Sequence, residues 1–391
     1  MGVFRRQKGF DTELRRLLIE LTEDQTDIRP LDDDTVQVGE LVIGLANLRA
    51  RWNQLPMPDR TPWLRETLPS LVSPPPIPAR LQSTRPLRPG IRPRAMLEAA
   101  RLANLGSEIH PERDHRALIP HRPFGADLVT VLLWDTETTM SVIDQAQLDD
   151  WGADFDDLLP VAVDNLSELP ASGWTSIYKQ AYTSTEADDY AGARMLDPHF
   201  LGTTGLEGEL VVLHPNRSRL LVAAVDDAKG IAKACEAVFE ELGAPSPVSL
   251  RPLVGRPGNW RALVLPPSHP AHAIWQRLTH LDRQMIHHRL RQPLQHLLGQ
   301  DVLVGEHEVV ESPDGAYHSV TTWAEGVPSL LPRTDLIRLE TEWGTVTAPW
   351  DEVRQQVGPL MEPTEHYPEL WRVVDFPKPQ LLSQLRHTTG A

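Results

Sequence analysis

His110, Glu112, Asp114, His115 and His121 form the most compact group of imidazoles and carboxylates in the chain. Imidazole nitrogen combined with carboxylate oxygen suits zinc or a similar divalent cation. A metal held by His110, His115 and His121 would give a hydrolase or another metal-dependent enzyme. Arg113, Arg116 and Arg122 place positive charge in the same segment and oppose a cation. The expectation is therefore a solvated loop entering a strand, with no metal. His307-Glu308-Val309-Val310-Glu311 is one residue from a zinc-protease motif, with Glu where the second His belongs. It reads as a strand, where residues i and i+4 lie further apart than on a helix. His269, His272, His280, His287, His288 and His296 populate a long helical stretch, and no pair has the i,i+4 spacing that shares one metal. If several are exposed, that stretch gains positive charge as pH falls through ~6.5.

Other templates are missing. The chain has no Gly-x-x-x-x-Gly-Lys-Ser/Thr, no Gly-x-Gly-x-x-Gly and no Gly-x-Ser-x-Gly. The glycine-rich run Gly202 to Gly208 precedes a strand, whereas a phosphate cradle opens a helix. The lone Cys235 allows no intramolecular disulfide or thiolate cage, and its place on an apolar helix face marks it as structural. Asp189 and Arg194 are the best candidates for a polar site, or equally a helix cap and a surface ion pair. No cofactor is implied.

The charge pattern says more. A net charge of -16 over 391 residues disfavours nucleic-acid binding. From Asp127 to Glu168 there are eleven acidic residues and no Lys or Arg. Asp154, Asp156 and Asp157 stand at a helix start, where the dipole favours them and a solvated face explains them. Uncompensated charge on this scale also attracts a basic protein surface, with Asp149, Asp150, Asp156 and Asp157 as the contact residues. No apolar run approaches the ~18 residues of a membrane span. The basic start has no apolar stretch after it, and Arg6 stands where myristoylation needs Ser or Thr. A cytoplasmic setting follows.

These residues must be positioned by an α+β architecture of β-hairpin and helix units. Residues 1–72 read as a small α/β unit, with Asp11 capping a helix that carries Leu14, Leu17, Leu18 and Leu21. Residues 73–94 are rich in Pro and Arg and read as a semi-rigid linker, or as a ligand for an SH3-like partner. Residues 95–268 form the core. In it Asp127 to Trp134 and Thr139 to Ile143 pair, Asp154 starts a helix, Trp174 to Tyr182 is a strand and Asp189 to Leu201 a helix. Pro215-Asn216-Arg217-Ser218 turns a hairpin between two apolar runs, and Ile231, Ala234, Cys235, Val238 and Phe239 line the covering helix. Residues 269–391 form a C-terminal α+β domain with a mostly antiparallel sheet, its first helix interrupted at Pro293.

Four blocks carry a resemblance: Met140 to Gln145, Ala162 to Pro170, Asp189 to Leu196 and Glu207 to Ala223. In order and spacing they are similar to the YtpQ-like family of bacterial proteins, over about residues 10–265. That family is of unknown function, so the resemblance implies a fold and a cytoplasmic setting and carries over no active site. The expectation is a non-catalytic protein-binding protein, adaptor or inhibitor-like. The alternative is a hydrolase or metal-dependent enzyme near His110–His121.

Overall fold

The computed structural model describes residues 8–22, 28–30, 35–38, 41–73, 76–106, 118–136, 140–171, 173–185, 188–244, 246–313 and 315–388. In the N-terminal unit, α1 (Lys8–Thr22) turns Leu14, Leu17 and Leu18 inward. It packs with the antiparallel strands β1 (Ile28–Pro30), β2 (Thr35–Val38) and β3 (Leu41–Gly44) and with α2 (Ala46–Gln54) and α3 (Met57–Val72). Asp11 lies inside the first turn of α1, where it accepts a hydrogen bond from Arg49 at 3.1 Å.

The proline-rich stretch departs from expectation, because its second half is a strand. Next in the chain are β4 (Leu87–Pro93), α4 (Arg94–Gly106), β5 (His121–Gly125), β6 (Leu128–Asp135) and β7 (Met140–Val142). β4 pairs with β6 from end to end. The Arg94 N–H donates to the Asp127 carbonyl and the Asp135 N–H to the Pro86 carbonyl, at the two ends of β6. Even-numbered residues therefore address β6, and Pro89 and Pro93 fall on the open side of an edge strand, where a missing N–H loses no ladder bond. Residues 76–86 are also docked. The Pro78 carbonyl accepts from Trp151 Nε1 at 2.7 Å, and the Thr84 carbonyl from Asn165 Nδ2 at 2.7 Å. These partners stand on α5 (Gln145–Trp151) and α6 (Phe155–Ser167), whose Leu148, Leu158, Leu159 and Ala162 pack on Leu87, Leu132 and Trp134.

A second sheet follows, built from β8 (Trp174–Tyr178), β9 (Ala181–Ser184), β10 (Leu210–Asn216), β11 (Arg219–Ala224), β12 (Leu253–Arg256) and β13 (Asn259–Ala262). Its order is β13-β12-β10-β11-β9-β8, antiparallel throughout. Between these strands lie α7 (Pro198–Gly202) and α8 (Ala228–Glu240). Alternation along β10 and β11 gives the sheet two buried faces. Val211, Leu213, Leu221 and Ala223 take Ile231, Ala234, Cys235 and Val238 of α8. Leu210, Val212, Leu220 and Val222 pack on Ile91 and Leu128 of the first sheet. Burial pushes the Cys235 thiol up to about 12, consistent with a structural residue. The expected strand over 174–182 is a hairpin. The expected helix over 189–201 is a set of turns, a 3-10 turn at Ala193–Leu196 and the short α7.

α9 (His272–Leu298) continues through Pro293, where a break was expected. Pro293 denies the Arg289 carbonyl its helical partner. Buried Leu290 and Leu294 nevertheless hold the turns around it against Ala95 and Leu102 of α4 and Leu330. Leu278, nearer the start of α9, belongs to the core beneath α8, so this helix is shared between the central and C-terminal parts. The remaining elements are β14 (Leu303–Val304), β15 (Glu308–Glu311), β16 (Tyr317–Ala324), β17 (Ser329–Pro332), β18 (Leu336–Thr341), β19 (Gly344–Pro349), α10 (Trp350–Val357), β20 (Glu362–Pro363), β21 (Leu370–Val373) and α11 (Pro379–Thr388). They make two four-stranded sheets, β14-β17-β21-β20 and β15-β16-β18-β19, antiparallel except for β14 with β17 and β16 with β18. The architecture is α+β. No helix among the described residues is long and apolar enough to cross a membrane.

Candidate functional site

The acidic interval folds into a patterned surface. Asp144 caps α5 by accepting from the Gln147 N–H at 2.8 Å, and Asp154 caps α6 by accepting from the Asp156 N–H at 2.8 Å. Because α5 and α6 turn their leucines onto the first sheet, Asp149, Asp150, Asp154, Asp156, Asp157, Asp164 and Glu168 are left exposed on the outer side. Arg122 of β5 pairs with Asp156, with both side chains more than half exposed, so the pair offsets little of this charge. Two other acids of the interval are withdrawn from that surface: Asp127 binds Arg251 and Tyr367, and Asp135 lies beside Tyr190. Glu137 lies outside the described residues.

Asp189 and Arg194 are not brought together. Arg194 is 2% exposed, and its guanidinium meets both oxygens of Asp188, at 3.0 and 2.9 Å, and the Pro170 carbonyl at 3.2 Å. It is a structural clamp between two loops. The expected surface pairing fails because the segment is turned and not helical. Asp189 instead faces the β10–β11 turn, where Ser218 Oγ reaches it at 3.4 Å. Beside it, His214 is buried with Nδ1 3.0 Å from the Arg219 carbonyl, and burial lowers it to about 4. Gly192 makes room for this ring, since a Cβ there would stand 2.0 Å from His214 Nε2.

Arg92 belongs to no sequence motif and falls in the stretch expected to be a linker, yet it is 3% exposed on β4. Its Nη1 donates to the Ile91 carbonyl at 2.9 Å, its Nη2 lies 3.3 Å from Met140 Sδ, and its Nε has no partner. Burial, reinforced by the charge of Arg217, lowers it to about 9. The i,i+2 alternation of β4 was the available signal, and its prolines concealed it.

A carboxylate pair was also not foreseen. Asp282 of α9 is buried; its Oδ1 accepts from the Leu250 N–H at 2.7 Å and Ser249 Oγ at 2.9 Å. Burial pushes it up to about 6, and the nearby Asp127 charge adds to the rise. Asp127 Oδ1 accepts from the Tyr367 hydroxyl at 3.1 Å, Asp127 Oδ2 lies 3.3 Å from Arg251, and the Arg94 guanidinium stacks 4.2 Å above the Tyr367 ring. A carboxyl near 6 could serve as a general acid. Here its neighbours join four distant segments of the chain, which makes the group a lock between them.

The metal candidates divide. His110 and His115 lie outside the described residues. His121 is exposed, with Nδ1 2.8 Å from the Ile119 carbonyl. Among the described residues no group of three His, Cys, Asp or Glu is placed to hold a metal ion. His307 is buried just before β15 and stacks on His287 of α9, with ring centroids 5.0 Å apart and 10° between planes. His280 of α9 reaches Asp335 at 3.4 Å. Burial lowers all three imidazoles, His287 to about 3 and His307 to about 4.

Comparison of the chain with family models, curated proteins and solved structures finds no match in any of the three.

Proposed function

We propose that this protein is a non-catalytic, cytoplasmic binding protein whose outer α5–α6 face engages a basic surface of another protein, as an adaptor or inhibitor would. The observation that carries the reading is the row of exposed carboxylates Asp149, Asp150, Asp156 and Asp157 on two helices whose apolar sides are buried. Each surface pair contributes little on its own, but the summed field steers a cationic partner and speeds encounter. The same field disfavours nucleic acid. The proposal includes membership of the YtpQ-like family over about residues 10–265, supported by the four sequence blocks from Met140 to Ala223.

The test is a pull-down at low and high salt, comparing the native chain with a variant carrying Asp149→Asn, Asp150→Asn, Asp156→Asn and Asp157→Asn. Loss of the salt-sensitive partners in the variant is the expected result. An identical set of partners at both salts sinks the idea. Elemental analysis guards against the enzyme alternative at His110–His121. A stoichiometric transition metal lost in His110→Ala with His115→Ala would replace the binding reading with a metal-dependent one.

A further inference from the structure

Four of the twelve exposed large hydrophobic side chains among the described residues lie at one end of the C-terminal sheets: Leu303, Val327, Trp343 and Val374. The strand registers place them there. β16 and β18 run parallel, so both finish on the same side, and the Glu325 N–H donates to the Glu340 carbonyl at 2.9 Å. The β18–β19 turn, which carries Trp343, projects from that end of β18. The turn over 325–328, which carries Val327, leads from the end of β16 to the start of β17. There Leu303 of β14 and Val373 of β21 both stand opposite Ser329, and the Leu303 N–H donates to the Pro328 carbonyl at 2.9 Å. Val374 follows directly on Val373.

Trp343 is 84% exposed, yet its turn is fixed. Thr341 Oγ1 accepts from the Trp343 N–H at 3.2 Å and donates to the Gly344 carbonyl at 2.9 Å, while Gly344 takes a φ of 135° that side chains rarely adopt. The hairpin therefore presents its indole to water from a set position. Apolar side chains gathered in the open mark contact sites, and Trp is the residue type that most often anchors one.

The charge around this end says what the contact takes. Glu325, Glu340, Glu342 and Asp375 are exposed on the same segments, and among the described residues none of the four has an ion pair. The flanking cations are Arg372, in register with Glu362 across β20–β21, and Lys378, beyond Phe376. The surplus is negative, and an indole face also attracts Lys or Arg. A second copy docking here would set these carboxylates against their own counterparts, and an anionic bilayer surface would repel them.

We infer that this end of the C-terminal sheets, with Trp343 at its tip and Leu303, Val327 and Val374 beside it, docks a segment of another protein that presents an apolar side chain among Lys or Arg. This contact does not rest on the α5–α6 face, and its test separates the two.

A random peptide library displayed on phage is selected on the full chain and depleted on Trp343→Ser. Trp343 is exposed, so its loss should leave the melting temperature unchanged. Peptides that survive depletion should carry Lys or Arg beside an aromatic or aliphatic residue. Made synthetically, they should bind Trp343→Ser at least about tenfold more weakly than the native chain, and Val374→Ser more weakly by a smaller factor. They should bind the quadruple Asp→Asn variant of α5 and α6 as tightly as the native chain. An absence of survivors, or survivors without basic residues, overturns the inference. Equal loss of affinity in the quadruple variant assigns the peptides to the acidic face and overturns it too. A dimer in sedimentation velocity that Trp343→Ser dissolves would give this end to a second copy. Co-sedimentation with phosphatidylcholine vesicles that the same change abolishes would give it to a membrane. Either result overturns the assignment to a basic segment.

Discussion

Replacing Asp282 by Asn should stabilise the fold in a pH-dependent way. The carboxyl rises from an ordinary 3.8 to about 6 because it is buried beside Asp127. The folded state therefore holds its proton more tightly than the unfolded chain does. The resulting contribution is fully present below about pH 4 and is lost as pH rises through about 6. A rise of roughly two units at about 1.4 kcal/mol each is worth about 3 kcal/mol above that window. Asn keeps the oxygen that accepts from the Leu250 N–H and from Ser249, cannot ionise, and can turn its amide toward Asp127. The difference in stability between Asp282→Asn and the native chain should therefore shift by about 1–3 kcal/mol in favour of Asn between pH 4.5 and pH 8. Urea melts of both proteins across that range read it directly, and titrating groups not coupled to Asp282 cancel in the difference. A difference that stays constant with pH would refute the buried-carboxyl argument.

The buried imidazoles work with the opposite sign. His214 and His307 fall to about 4 from 6.5, so the unfolded chain takes up their protons first. Their contribution is complete above about pH 6.5 and fades toward pH 4, at about 1.4 kcal/mol per pH unit for each ring, and His307→Phe should flatten the acid limb of a stability profile by one such slope. Gly192→Ala sets a Cβ against the His214 ring. Overpacking at this site should cost about 1–3 kcal/mol, measured by denaturant melts. Native thermolysin should spare the Gly90–Ile91 bond, because β4 is paired along its length; early cleavage there, seen by mass spectrometry, would restore the linker.

The local pattern was a good guide wherever one face of an element is apolar. The β10–β11 hairpin, α8 with Ile231, Ala234, Cys235 and Val238, and the Asp154 start of α6 all sit where periodicity places them. It misled at prolines. Pro89 and Pro93 read as barriers to a sheet, but an edge strand tolerates them on its open side. Pro293 read as a helix stop, but packing around Leu290 and Leu294 carries α9 through it. The exposed acids of α5 and α6 were legible as an unbroken charge run. Asp127 with Tyr367 and Asp282 was not, since these residues lie far apart in sequence and only the tertiary fold brings them near.

The central claim, recognition of a basic protein through α5 and α6, rests most directly on an association rate. The partner retained at low salt is purified, and its on-rate is measured against the native chain and the quadruple Asp→Asn variant at 50 and 500 mM salt, concentrations chosen to lie roughly either side of physiological screening. Electrostatic steering predicts a native on-rate at least about tenfold faster at low salt, and a variant on-rate that hardly changes with salt. Equal rates for the two proteins at low salt would contradict the account.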